Sequence, residues 1–207
     1  MLSRIAPLVS GHGEVAAFPV LLRRIISELS PELQIAVAPP VRCSESSLIK
    51  PDSTEFADYL AIAIDNAGQG GGVIVLIDSE DACPAEIGPQ LLARARAHQP
   101  GIPLVVVCAY REYETWFLWS LDTYRDHGMV PGAINAPEAP ESCRSAKDWL
   151  RRVAGIPYKE VVDQARFSAR LDLQLARRSD SFDKLCRDVQ LLLRAIRERN
   201  PGLIPPS

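Results

Sequence analysis

The chain has 207 residues, 47% of them hydrophobic and 24% charged, with a formal net charge of −3, which suits one globular domain with a real core and room for a small subdomain. No apolar run approaches the ~20 residues of a membrane span, and the opening "MLSRIAPLVS" lacks the apolar core and small-residue cleavage site of a signal peptide, so a cytoplasmic location is expected. Five scattered cysteines without a CxxC pair argue against a disulfide framework, and with three histidines lacking ligand spacing they argue against zinc.

In chain order, "RIAPLVS" (4–10) reads as a buried strand, although Pro7 cannot donate to a ladder. "EVAAFPVLLRRIISELS" (14–30) has apolar residues at helical spacing, with Pro19 early enough to be tolerated. "LQIAVA" (33–38) is a short strand, 41–53 an irregular loop, and 54–67 a helix capped by Asp52 or Ser53. "GQGGG" (68–72) breaks the chain before the strand "VIVLID" (73–78). A helix follows over 84–99, then the β-branched strand "IPLVVVCA" (102–109) and a helix over 112–124. Continuous apolar strands of this kind are typical of parallel sheets covered on both faces. The alternation predicts an α/β fold, an open, mainly parallel sheet flanked by helices with right-handed crossovers. After a Pro- and Gly-containing loop, the remainder reads as helices at about 145–154, 158–176 with a break, and 180–198, then a frayed tail. Residues 1–124 thus form the α/β domain, and 125–207 a loop and C-terminal helical extension packed on it.

Functional groups of open α/β sheets gather beyond the carboxyl ends of the strands. Here the first strand is followed by Gly11-His12-Gly13-Glu14, the next clear one by Asp78-Ser79-Glu80-Asp81, and the last by Arg111-Glu112-Tyr113-Glu114. A cluster of acids repels itself unless cations neutralise it, and Mg²⁺ or Mn²⁺ prefers carboxylate oxygens and substrate phosphates. Taken singly, the same acids serve helix N-termini or caps. Gly11 to Ala16 also fits the GxGxxA dinucleotide fingerprint, but Glu14 would aim its charge at the pyrophosphate and "VAPPV" supplies no acid for a ribose. His12 reads as a proton shuttle, a phosphate donor or a plain turn residue.

Charge is divided unevenly: nine basic and eighteen acidic side chains over 1–143, fourteen and eight over 144–207. Arg111, and Arg177 and Arg178 before a helix start capped by Asp180 or Ser181, are candidates for gripping a nucleic-acid backbone. The spacing of Trp116, Phe117 and Trp119 predicts packing rather than base stacking.

The glycine turn ending in Glu14 and the strand ending in an acidic pair resemble the Toprim domain of topoisomerases, DnaG-type primases and overcoming-lysogenization-defect (OLD) nucleases. "VSGHGEVAAFPVLLRR", "VLIDSEDACPAEIGPQLL", "VVCAYREYETWFLWS" and "DSFDKLCRDV" are similar to blocks of the bacterial, Toprim-like DUF4276 family. The resemblance implies a Toprim-like fold and a divalent-metal-dependent nuclease using Mg²⁺ or Mn²⁺. Glu14 would be metal ligand or general acid/base, and Asp78 and Glu80 the catalytic, ion-binding pair. Asp81 would substitute as a ligand, and Glu112 or Glu114 would complete a second metal site. It further implies nucleic acid as partner, DNA ahead of RNA, a P-loop ATPase partner and a setting in phage or mobile-element defence. A non-catalytic subunit of an ATPase complex and a Rossmann-like nucleotide binder stand as alternatives.

Overall fold

A computed structural model describes residues 3–50, 53–132, 134–152 and 154–205. Five parallel strands make one sheet: β1 (Arg4–Val9), β2 (Ala36–Val37), β3 (Val41–Arg42), β4 (Gly72–Asp78) and β5 (Leu104–Ala109). Their order is β2-β1-β4-β5, with β3 also on β1. The chain therefore moves outward from β1 to β2 and β3, then crosses back to β4 on the other side. That reversal leaves a crevice between the carboxyl ends of β1 and β4, the usual place for a ligand in such sheets.

Alternate residues feed two cores. Ile5, Val9, Ile74, Leu76, Val105 and Val107 face α1 (Glu14–Leu29) and α9 (Asp180–Glu198). Ala6, Leu8, Val73, Val75, Ile77 and Val106 face α3 (Thr54–Ala67) and α4 (Pro84–His98). Burial on both faces is why β4 and β5 read as unbroken apolar runs. The fold is the expected α/β class, a parallel sheet flanked by helices. The late helices α6 (Ala146–Arg152), α7 (Glu160–Ser168) and α8 (Leu173–Ala176) and α9 share a core with α1 and the sheet.

Pro7 is accommodated in the middle of the sheet by its partner strand. The Ser3, Ile5 and Val9 carbonyls accept from Ala36, Ala38 and Cys43 N–H groups, so odd residues of β1 face β2 and β3. Pro7 falls in that set, opposite the break between β2 and β3 where Pro39 and Pro40 stand and one residue bulges out. Pro7, which lacks a donor, thus falls at the gap between two short strands and interrupts no paired stretch of the ladder.

The same prolines explain two departures from the sequence reading. The strand expected over 33–38 pairs only at Ala36–Val37, and the expected loop 41–53 contains β3 and the helix α2 (Glu45–Ile49). Ser44 caps α2, its Oγ accepting from the Ser47 N–H at 3.2 Å. Asp52 lies outside the described residues; Ser53 occupies the cap position of α3 without a side-chain cap bond.

The helix expected over 112–124 is a 3₁₀ helix, Tyr113–Ser120, leading into α5 (Leu121–Asp126). A 3₁₀ spiral eclipses residues i and i+3, which sets Tyr113 against Trp116 with centroids 4.9 Å apart and the rings tilted by 53°. Every residue of this stretch except Trp119 is buried, so core packing sets the tighter winding. Trp116 and Phe117 pack against Phe182 and Phe167, as the spacing predicts. The helix foreseen at 158–176 breaks into α7 and α8 because Asp172 starts a new helix, accepting from the Gln174 and Leu175 N–H groups. Helix α9 begins at Asp180 with Ser179, not Asp180 or Ser181, at the cap position. No helix among the described residues is long and apolar enough to cross a membrane. All five cysteines are free thiols.

Candidate active site

Glu14 opens α1 directly after β1. Its Oε2 accepts the Gly11 N–H at 2.7 Å and lies 3.5 Å from the Ser10 hydroxyl. The two glycines of the turn are there for space. A Cβ on Gly11 would lie 2.3 Å from Glu14 Oε1, and one on Gly13 would lie 2.3 Å from Gln164 Oε1. Gly11→Ala is therefore expected to push the Glu14 carboxylate off its amide. Loss of that charged hydrogen bond should cost about 1–3 kcal/mol of stability, read in a thermal melt; an unchanged melt would mean the turn has slack.

Asp78 ends β4, and its Oδ1 accepts the Tyr113 N–H at 2.8 Å. Glu112 precedes the 3₁₀ helix, and its Oε1 accepts the Ala146 N–H at the start of α6, 2.8 Å away. Glu114 is wholly buried; its Oε1 accepts from the Tyr158 hydroxyl at 2.8 Å and Gln164 Nε2 at 3.1 Å. These carboxylates come from three strand ends, and all of them but Glu14 stand within 4.0 Å of one cation, together with Glu160 of α7. Lys147 Nζ stands 4.0 Å from Asp78 Oδ2, 3.7 Å from Glu112 Oε2, 3.6 Å from Glu114 Oε2 and 3.5 Å from Glu160 Oε2.

One ammonium does not balance five acids. Burial pushes the Asp78 carboxyl well above its usual range, and the Glu14 and Glu114 charges push it further. Burial likewise raises Glu14, against the opposing pull of the Gly11 N–H and Lys147. Glu114 is raised to about 7 by burial, with Lys147 and the Tyr158 hydroxyl pulling it down. Burial works to deprotonate Lys147, but Glu114, Asp78, Glu160 and Glu112 together overcome it and hold the ammonium charged.

Of the residues singled out in the sequence, the structure gathers Glu14, Asp78, Glu112 and Glu114 and leaves Glu80 and Asp81 outside. The reason is a left-handed turn: Glu80 has φ +48° and Arg111 φ +61°. The Glu80 N–H donates to the Arg111 carbonyl at 2.8 Å, and the Arg111 N–H to Ser79 Oγ at 2.9 Å, which holds both strained residues. The turn throws Glu80 off the face that Asp78 occupies, and its side chain is exposed. Asp81 pairs on the rim with Arg111 at 3.2 Å and with exposed Arg144 at 4.0 Å.

Among the other candidates, His12 is exposed. Ser181 Oγ accepts from the Tyr110 N–H and Trp116 Nε1 and shares a bond with Ser179, so it ties α9 to β5. It also stands on the wall of a cleft of about 530 Å³ beside Lys184 and Arg187. Arg177 is paired with Asp183, whereas Arg178 is exposed with no ion pair among the described residues.

Lys147, Glu160, Tyr158 and Gln164 were not picked out from sequence. Lys147 had one signal: the chain has four lysines against nineteen arginines, and a compact ammonium suits a tight ring of acids better than a guanidinium fork.

The donor set fits a hard divalent cation in kind and in charge: oxygen ligands, an excess of negative charge, and a fully buried Glu114 Oε2 with no hydrogen bond. Among the described residues, no three His, Cys, Asp or Glu side chains converge as a ready-made ligand set. The point of convergence is the ammonium.

No family model and no curated protein match the chain. Among solved structures it is similar to the C-terminal region of the Burkholderia pseudomallei OLD protein, at 16% identity and a TM-score of 0.37, covering 95% of this chain and 100% of that one.

Proposed function

We propose that the chain is a divalent-metal-dependent phosphodiester hydrolase acting on nucleic acid. The observation that carries this reading is the gathering of Glu14, Asp78, Glu112 and Glu114 from three strand ends at the sheet's switch-point crevice, with more negative charge than Lys147 neutralises. Mg²⁺ or Mn²⁺ would be held by these four carboxylates, and when bound such an ion polarises a phosphoryl oxygen. Burial raises the Glu114 carboxyl to about 7 in the metal-free site, so an arriving ion would displace a proton from it. Tyr158 and Gln164 orient it, and the Gly11 N–H orients Glu14. Arg111 and Arg144 on the rim, with Arg178 further off, supply positive charge for a phosphate backbone. DNA as the preferred substrate and an ATPase partner follow from the Toprim resemblance and belong to the same proposal. Glu80 and Asp81 are assigned a rim role in it.

One observation favours a second reading, a non-catalytic subunit of an ATPase complex: Lys147 already sits where an ion's charge would be. The nucleotide-binding alternative loses its anion seat, because Glu14 occupies the Gly11 amide of the turn.

Calorimetric titration of Mn²⁺ and Mg²⁺ into wild type and Glu14→Ala, with cleavage assays on plasmid DNA and single-stranded RNA, separates these readings. Saturable binding and cleavage, both reduced about 100-fold or more in the variant, are expected for the hydrolase. Absence of binding in wild type would leave the subunit reading in place.

A further inference from the structure

We infer that Lys147 is a tethered counter-ion that shares one seat with the divalent cation and must leave it when the cation binds. The inference rests on the metal-dependent reading above and adds how that site is regulated.

The ammonium stands within 4.0 Å of carboxylate oxygens from Asp78, Glu112, Glu114 and Glu160. A divalent ion drawn to the same oxygens binds them at about 2.0–2.6 Å, so it cannot be added beside Lys147 without strong repulsion at close range. Two features make the seat exchangeable. First, none of the four lysine contacts is closer than 3.5 Å, and Glu114 Oε2 carries no hydrogen bond, so the lysine offsets part of the ring's charge without saturating its oxygens. Second, the four acids are not equally buried. Side-chain exposure is 0% for Glu114, 8% for Glu112 and 10% for Asp78, but 30% for Glu160. Lys147, itself 22% exposed on the short helix α6, can swing outward and stay paired with Glu160 while the three inner carboxylates are released.

Occupation by the lysine keeps the buried carboxylates paired until an ion arrives, since an uncompensated buried charge is costly. It also sets the threshold for metal: an incoming ion competes with a covalently attached cation whose local concentration never falls.

Two measurements test this. Lys147→Met removes the charge and keeps most of the side-chain length, and titration of Mn²⁺ is expected to give binding about tenfold tighter or more than wild type. In wild type, amine-labelling of Lys147 read by mass spectrometry, with Lys184 as internal reference, is expected to rise severalfold on saturation with Mn²⁺. The labelling decides the matter should Lys147→Met fail to fold. Equal or weaker Mn²⁺ affinity in the variant, or labelling of Lys147 that does not change while wild type binds Mn²⁺, overturns the shared seat and leaves the metal site standing. No Mn²⁺ binding in either protein overturns both.

Discussion

Asp78→Asn is expected to make the protein more stable and to destroy the function proposed for it. The Asn side-chain oxygen retains the bond from the Tyr113 N–H that Asp78 Oδ1 accepts at 2.8 Å. The substitution removes one of the mutually repelling buried charges, whose carboxyl is already raised by burial, Glu14 and Glu114. Relief on the order of 1 kcal/mol at pH 8 would appear as an increase in Tm of about 2–4 °C for a chain of this size. Removing a charged ligand at the end of β4 should at the same time lower Mn²⁺ affinity and cleavage by about 100-fold or more. Calorimetry on the metal-free protein and metal titration read the two effects separately. A destabilised Asp78→Asn protein would mean that Lys147 satisfies Asp78 more fully than the 4.0 Å contact implies.

The second large effect is a fall in the stability of the metal-free protein as pH rises from 5 to 8. Glu114 titrates at about 7 when folded, against 4.5 for an ordinary glutamate, because it is buried. Below pH 4.5 both folded and unfolded chains hold the proton. Between 4.5 and 7 the folded chain keeps a proton that the unfolded chain releases, so stability falls through this window and levels off above it. Glu114 alone contributes a loss on the order of 3 kcal/mol, and Glu14 and Asp78, also raised, add in the same direction. Lys147 stays charged throughout, so its contribution is constant over these pH values. Lys147→Met should steepen the slope and extend it to higher pH, since the acids lose their shared cation, and saturating Mn²⁺ should flatten it in wild type. Melts at pH 5, 6, 7 and 8, in EDTA for the metal-free wild type and Lys147→Met and in saturating Mn²⁺ without chelator for the third comparison, check all three; a flat wild-type profile in EDTA would show that the acids are better compensated than their burial indicates.

Both effects turn on residues of unequal visibility in the sequence. Glu14, Asp78, Glu112 and Glu114 could be found because each ends an apolar strand or stands within a few residues of its end, and parallel strands bring their carboxyl ends to one edge. The pairing of Asp78 with Glu80 came from the Toprim resemblance, and the left-handed backbone at Glu80 separates the two side chains here. A non-glycine residue at positive φ leaves no mark in composition or spacing, because what holds Glu80 there is the bond its N–H gives to the carbonyl of Arg111, a residue of another strand end. Lys147 and Glu160 lie more than thirty residues beyond the last strand, in segments that read only as helices. Helical periodicity reports which face is buried, and says nothing of which buried face meets which strand end.

The sequence by itself determined the alternation of strands and helices, the parallel sheet with two covered faces, and the acids at its carboxyl edge, because these follow from local period and from chain order. Tertiary structure alone decided which acids converge, that a lysine stands among them, and that the break between β2 and β3 falls opposite Pro7. Those depend on register and packing between segments far apart in the chain, where a shift of one residue turns a side chain to the opposite face.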